Sequence, residues 1–187
     1  MVQLETPRLI LKSPDAGLTD MVFDYFKRNQ QHFATYGPER RPEWDTLEYH
    51  RNKLIEYAAK TAAGTNLWLF LFEKGNPDKI IGDIHLSNIV RSVFQSCHVG
   101  YKLDEQAQGR GYMREALQRL VQYAFEDMKL HRIEANIIPT NTRSIKLVTS
   151  LGFEDEGLAK KYLKINGRWQ DDRDYVIVNE AMEDEDR

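Results

Sequence analysis

Gln106-Ala107-Gln108-Gly109-Arg110-Gly111-Tyr112-Met113 stands between a strand-like stretch, His98-Val99-Gly100-Tyr101-Lys102-Leu103, and an amphipathic helical stripe over residues 113–128. A strand, a glycine-rich turn and a helix N-terminus present free backbone N–H groups at the positive end of a helix dipole, the arrangement that binds a pyrophosphate. Two better-known phosphate loops are excluded by residue type. A dinucleotide fingerprint needs a third glycine where Arg114 stands, and a P-loop needs Lys and Ser or Thr where Tyr112 and Met113 stand. On spacing alone, the stretch is either a phosphate cradle or a solvated turn capped by glycines.

Outward from this loop, Met113, Leu117, Leu120, Val121, Ala124 and Met128 keep helical spacing, 132–138 reads as a strand, and 141–151 as a helix stopped by Gly152. Residues 162–178 predict a hairpin turning at Asn166-Gly167. Upstream, 67–72 and 79–86 predict an antiparallel pair joined at Gly75-Asn76-Pro77-Asp78. The N-terminal part offers a strand over 6–11, a helix over 19–31 and a second helix running to about residue 63. The second helix is entered through an apparent capping box, Asp45 with Glu48. The order β-α-α-β-β-β-α-β-α-β-β points to one mixed α/β domain spanning 1–187.

Composition narrows the function classes. A net charge of −3 leaves no footprint for nucleic acid, and a short acidic tail from about residue 180, with Glu180, Glu183, Asp184, Glu185 and Asp186, reads as frayed and solvated. The longest apolar run, 67–72, is far short of the roughly 20 residues that cross a bilayer. Cys97 is the one cysteine and no charged-then-apolar leader follows Met1, which makes the cytoplasm the expected compartment. His32, His50, His85, His98 and His131 fall into no metal-ligand spacing, so no metal is expected.

The loop Gln106 to Met113, the segment Asn136-Ile137-Ile138-Pro139-Thr140-Asn141-Thr142-Arg143-Ser144, the ending Leu151-Gly152-Phe153 and the order of elements together resemble the GNAT superfamily of N-acetyltransferases. Ser87-Asn88-Ile89-Val90-Arg91, Phe94, Gly100-Tyr101, His131-Arg132-Ile133, Glu156-Gly157 and Asn166-Gly167 resemble its RimJ/RimL-type branch, whose members acetylate the N-terminal amine of ribosomal proteins. The resemblance implies a single mixed, mostly antiparallel sheet flanked by helices, with acetyl-CoA as cosubstrate. It implies backbone N–H groups of Tyr101, Lys102 and Leu103 for the acetyl carbonyl and pantetheine arm, and loop amides of Gln108, Gly109, Arg110, Gly111, Tyr112 and Met113 for the pyrophosphate.

Acetyl transfer needs a neutral amine, donors for the developing oxyanion and a proton for the departing thiolate. Many superfamily members supply that proton from a tyrosine on the last helix, but the matching position is Val148. In this branch Ser144 is the candidate, with Asn141 as a cofactor ligand. The two are equally a polar residue in a first helical turn and an N-cap. A glutamate that some branch members carry before the closing turn is matched by Leu163, so no base is named. Asp83, His85 and His98 are acid/base-capable but read as polar outward positions on strands. Asn88 is the better match and is expected to position substrate. Cys97 reads as a buried structural thiol. Phe33, Tyr36 and Trp44 fall where the superfamily builds its acceptor site, or are core.

The expected acceptor is a protein N-terminal amine. An α-amine of pKa near 8 is roughly a tenth neutral at pH 7, against below about one in a thousand for lysine, so it asks less of a base. A small-molecule amine acetyltransferase and a non-catalytic acetyl-CoA-binding module remain open beside it. Oligomeric state is left open.

Overall fold

The computed structural model describes residues 1–39, 41–165 and 167–182. In chain order these form β1 (Gln3–Glu5), β2 (Leu9–Lys12), α1 (Thr19–Arg28), α2 (Gln30–Ala34), α3 (Leu47–Ala62), β3 (Leu67–Glu73), β4 (Asn76–Val90) and β5 (Ser96–Leu103). They continue with α4 (Tyr112–Glu126), β6 (Arg132–Ile137), α5 (Thr142–Thr149), β7 (Glu154–Ile165) and β8 (Arg168–Val178). The strands make one sheet in the order β1-β2-β3-β4-β5-β6-β8-β7. Neighbours are antiparallel except β5 and β6, which α4 joins as a parallel crossover.

β3 reads LWLFLFE because both of its faces are covered. Phe70 and Phe72 pack with Val22, Tyr25, Leu54 and Ile80 in the layer of α1 and α3. Leu69 and Leu71 pack on the opposite side with Leu117 and Leu120 of α4.

Several local expectations are corrected. Of the strand expected over 6–11, residues 9–11 lie in β2, but 6–8 form the turn between β1 and β2, held by the Thr6 hydroxyl, which accepts from the Leu9 N–H at 2.8 Å. The helix expected over 19–31 breaks at Asn29, whose buried amide donates to the Tyr25 carbonyl (2.9 Å) and whose side-chain oxygen accepts from the Glu105 N–H (3.0 Å). Thr46, not Asp45, caps α3, accepting from the Tyr49 N–H at 3.2 Å from an extended backbone. β4 begins at Asn76, so the turn before it is Lys74-Gly75. Asp83 is fully buried rather than outward, because α1 covers that face and the Tyr25 hydroxyl donates to its carboxylate at 2.9 Å. His85 is largely covered as well, its ring stacked on Trp68 at 4.0 Å. Gly152 takes a positive φ of 89°, as expected after α5. Asn166 and the acidic positions 183–186 lie outside the described residues.

One break in regularity positions the site. β5 pairs with β6 only through Ser96, Cys97 and His98, opposite Arg132, Ile133 and Glu134, while β4 stays paired with β5 out to Leu103. Beyond His98 the sheet splays.

Candidate active site

The loop expected to hold phosphate leaves β5 at its open end. Gly109 and Gly111 have φ of 76° and 77°, and Gly111 is the N-cap of α4 with no side chain bonded to the first turn. A β-carbon at Gly109 would meet nothing within 4 Å, so its glycine is required by conformation and not by space. The backbone N–H groups at the start of α4 therefore face outward without a side-chain cap, which fits a pyrophosphate. Tyr112 and Met113 open the helix, and the Arg110 carbonyl accepts from the Arg8 guanidinium at 2.9 Å. The Gln108 side chain spans the loop mouth, its amide nitrogen 2.6 Å from His32 Nε2 and its oxygen accepting from Arg143. Arg8, His32 and Arg143 were not singled out in the sequence, since nothing local marks side chains that meet only across the fold.

The phase of the β4–β5 ladder decides which groups on β5 face the splay. The Asp104 N–H donates to the Ile81 carbonyl at 2.8 Å, so alternate residues, Lys102 and Gly100, turn their backbone groups to β4. Tyr101 and Leu103 turn theirs to the open side. This corrects the expectation for Lys102, whose backbone faces β4. Its ammonium instead lies over the rings of Phe26 and Phe33, 5.4 and 5.8 Å from their centroids.

Ser144, Asn141 and Tyr101 converge on the α5 side. Asn141 caps α5 by accepting from the Ser144 N–H at 3.2 Å. Burial pushes the Tyr101 hydroxyl up to about 12 against a smaller lowering by the neighbouring Ser144 side chain, yet the pair falls short of hydrogen-bond geometry. Val148, in the place of the superfamily tyrosine, is fully buried in the core. Cys97 is buried and its thiol is pushed up to about 12, first by burial and then by Glu134, so it is no nucleophile at neutral pH.

The opposite face of the sheet holds a cavity of about 280 Å³ bounded by α1, α2, α3 and β3. Phe26, Phe33, Trp44, Tyr57 and Trp68 line it together with Lys53 and Lys102, and no Asp or Glu stands among the described lining residues. Tyr36, the third aromatic expected near the acceptor, is exposed, its hydroxyl donating weakly to the Thr140 carbonyl at 3.4 Å. Burial, then the Lys102 charge, depresses the His85 imidazole to about 3, which keeps it neutral.

Carboxylates stand on β6 and β8 beside the splay, Glu134 at its apex and Asp174 and Asp172 further along β8. His98 Nε2 lies 3.5 Å from Glu134, and its Nδ1 lies 3.5 Å from the side-chain amide of Asn88. Asn88 stands in the irregular end of β4 with a φ of 50°, a bulge that re-aims its side chain. Asp172 is fully buried, and its oxygens lack a hydrogen bond of good geometry. Burial raises it to about 6; the Arg173 N–H pulls against that, and Asp174 adds to it. Among the described residues no cluster of His, Cys, Asp or Glu could hold a metal ion, and no helix is long and apolar enough to cross a membrane.

Residues 8–154 match the family described as "Acetyltransferase (GNAT) domain". The chain is 34% identical over 177 residues to the [ribosomal protein uS5]-alanine N-acetyltransferase of Escherichia coli, covering 95% of this chain and 89% of that protein. The crystal structure of ribosomal-protein-S5-alanine acetyltransferase from Vibrio fischeri superposes with a TM-score of 0.91 at 34% identity, covering 96% of this chain and 98% of that one. Mycobacterium smegmatis RimJ in complex with CoA-disulfide, at 24% identity and a TM-score of 0.86 over 93% of this chain and 83% of that one, shares the fold. With a splayed sheet, an uncapped helix N-terminus at its open end and these relatives, the chain belongs to the GNAT acetyltransferase family and is an N-acetyltransferase of RimJ/RimL-like kind.

Proposed function

We propose that this N-acetyltransferase uses acetyl-CoA and that its acceptor is the N-terminal α-amine of a protein, a ribosomal protein by analogy with its relatives, in the cytoplasm. Direct transfer between two bound substrates suits a site with cofactor and acceptor groups on opposite faces of one splay. The loop amides of Gln108 to Met113 hold the pyrophosphate, and Tyr101 and Leu103 hold the arm along the open edge of β5. Bound acetyl-CoA supplies the activated acetyl group, and Ser144 with the Tyr101 hydroxyl supplies the proton to the departing sulfur.

The observation that carries the acceptor reading is the distribution of charge around the cavity. A polyamine or aminoglycoside needs anions along its length, whereas this cavity is aromatic and carries Lys53 and Lys102. The carboxylates that are not fully buried stand instead near His98, Glu134 on β6, which also holds Arg132, and Asp174 on β8, a place that suits a single ammonium group followed by an uncharged chain. Free-thiol release from acetyl-CoA is measured with peptides bearing free Ala or Ser N-termini, the same peptides N-blocked with a free lysine, polyamines and aminoglycosides. Release with free N-termini alone is expected. Release with a small polycation alone overturns the acceptor, and silence across the panel overturns the reading as a whole.

A further inference from the structure

We propose that His98 is the group that takes the proton from the acceptor ammonium, with Glu134 and Asn88 holding its ring. The proposal rests on the N-acetyltransferase reading above and fills the role that the family resemblance left without a residue, since the position it points to is Leu163.

Position carries the argument. The open edge of β5 runs from Val99 to Leu103, roughly 16 Å at about 3.3 Å per residue. Its far end meets the phosphate loop, so a pantetheine arm lying along the edge ends near Val99 and Gly100, where β5 and β6 part. His98 is the last residue paired across that junction, and its side chain shares the face of Lys102 and the aromatic cavity. An amine approaching from the acceptor side meets the imidazole there. The side chain is one-third exposed, against a fully buried Asp83 and a fully buried Asp172. Those two carboxylates cannot touch a substrate without a rearrangement.

The neighbours of the ring set its protonation geometry. Glu134 faces Nε2 from β6 and favours a proton there, which leaves Nδ1 with its lone pair, turned toward Asn88 from β4. The other oxygen of Glu134 accepts from Arg132 Nε at 2.7 Å, and Arg132 in turn is paired with Glu156 at 2.6 Å; Asp174 on β8 is the further charge within reach of this group. The Asn88 contact, at 3.5 Å, is at the limit of a hydrogen bond, so an ammonium hydrogen can take its place. Acetyl transfer removes two protons from the acceptor nitrogen and returns one to the departing thiolate. His98 Nδ1 accepts the first and releases it to solvent as the site reopens, and the second leaves the nitrogen to restore the proton that Ser144 gives to sulfur.

Three measurements test the assignment. With an acceptor peptide identified in the wild type, His98→Ala is expected to lower kcat by about a hundredfold or more, to keep acetyl-CoA affinity within about twofold and to regain turnover saturably with added imidazole. His98→Gln keeps a polar side chain of similar reach and is expected to be as slow, without rescue. Without any cofactor, the His98 Cε1–H resonance, identified by its absence from the Ala variant, is expected to move when the acceptor peptide is titrated in. Wild-type turnover in either variant, loss in His98→Ala that imidazole does not restore, or a stationary resonance overturns the role of His98. A wild type that acetylates nothing overturns the proposed function instead.

Discussion

The Arg8 guanidinium donates to the backbone carbonyl of Arg110 at 2.9 Å while its Nε donates to Glu115 at 2.6 Å, tying the β1–β2 turn to the phosphate loop and the first turn of α4. The same carboxylate accepts from the Thr6 hydroxyl (2.5 Å) and the Arg8 N–H (2.9 Å), and the guanidinium lies 4.7 Å from the centroid of the Tyr112 ring. A segment near the N-terminus thus braces a loop roughly a hundred residues away.

Burial alone would raise the Glu115 carboxyl, but the Thr6 and Arg8 donors outweigh it and hold it below the usual carboxylate range. A depressed acid contributes stability above its unfolded pKa, about 4.3, and loses it as pH falls through the lower folded value. Wild-type melting temperature is therefore expected to fall more steeply below about pH 4.5 than that of Glu115→Gln, which starts lower at pH 7. Parallel melting curves from pH 7 to pH 3 would contradict this.

Gly109→Glu places a side chain on a backbone of positive φ and a carboxylate at the pyrophosphate. The strain costs about 1–2 kcal/mol, and charge repulsion adds to it. Acetyl-CoA affinity is expected to drop at least about tenfold, read by calorimetry. Undiminished affinity would remove the loop from cofactor binding.

Ser144→Ala and Tyr101→Phe are each expected to lower kcat while leaving acetyl-CoA affinity nearly unchanged. Their side chains lie together at one end of α5, so they act on one proton path. The double variant is then expected to be no slower than the slower single one. Multiplied losses would separate their roles.

Asp172 contrasts with Glu115. An acid raised to about 6 by burial favours the folded state below its unfolded pKa and loses that contribution as pH rises through 6. Asp172→Asn, which needs no buried charge, is expected to be more stable than wild type at pH 8 by up to about 2–3 kcal/mol, with the gap closing by about pH 4. Melting curves at the two pH values read it directly.

Gly100 lies under His85. A β-carbon there would stand 2.6 Å from the imidazole, which is stacked on Trp68, itself stacked on Tyr57 at 4.0 Å. Gly100→Ala is expected to cost about 1–3 kcal/mol because the stack leaves the ring nowhere to move. Adding His85→Ala is expected to return part of that loss, a coupling that chemical denaturation measures.

The glycine loop, the helix after it and the Asn141 cap could be read locally because glycine spacing, helical periodicity and capping chemistry are properties of neighbouring residues. The class of the sheet followed from the order of elements, and the family from motifs that keep their residues in place. The break at Asn29 was missed because its side chain bonds to the distant Glu105 backbone, which overrides local propensity; the cap at Thr46 and the turn at residues 6–8 rest on local side-chain bonds, to the Tyr49 and Leu9 N–H groups, that compete with other local choices. Asp83 and His85 looked outward by alternation, and only tertiary packing covers them, Asp83 by Tyr25 of α1 and His85 by the Trp68 ring stacked on Tyr57 of α3. The splay after His98 is likewise invisible in one strand, since it depends on where β6 stops pairing. Residue types and spacing thus determined which chemistry the chain carries. Which groups meet at the apex, and which face of the sheet receives the acceptor, was decided by tertiary packing, because strand register brings together residues such as Asn88, His98 and Glu134 that no local pattern connects.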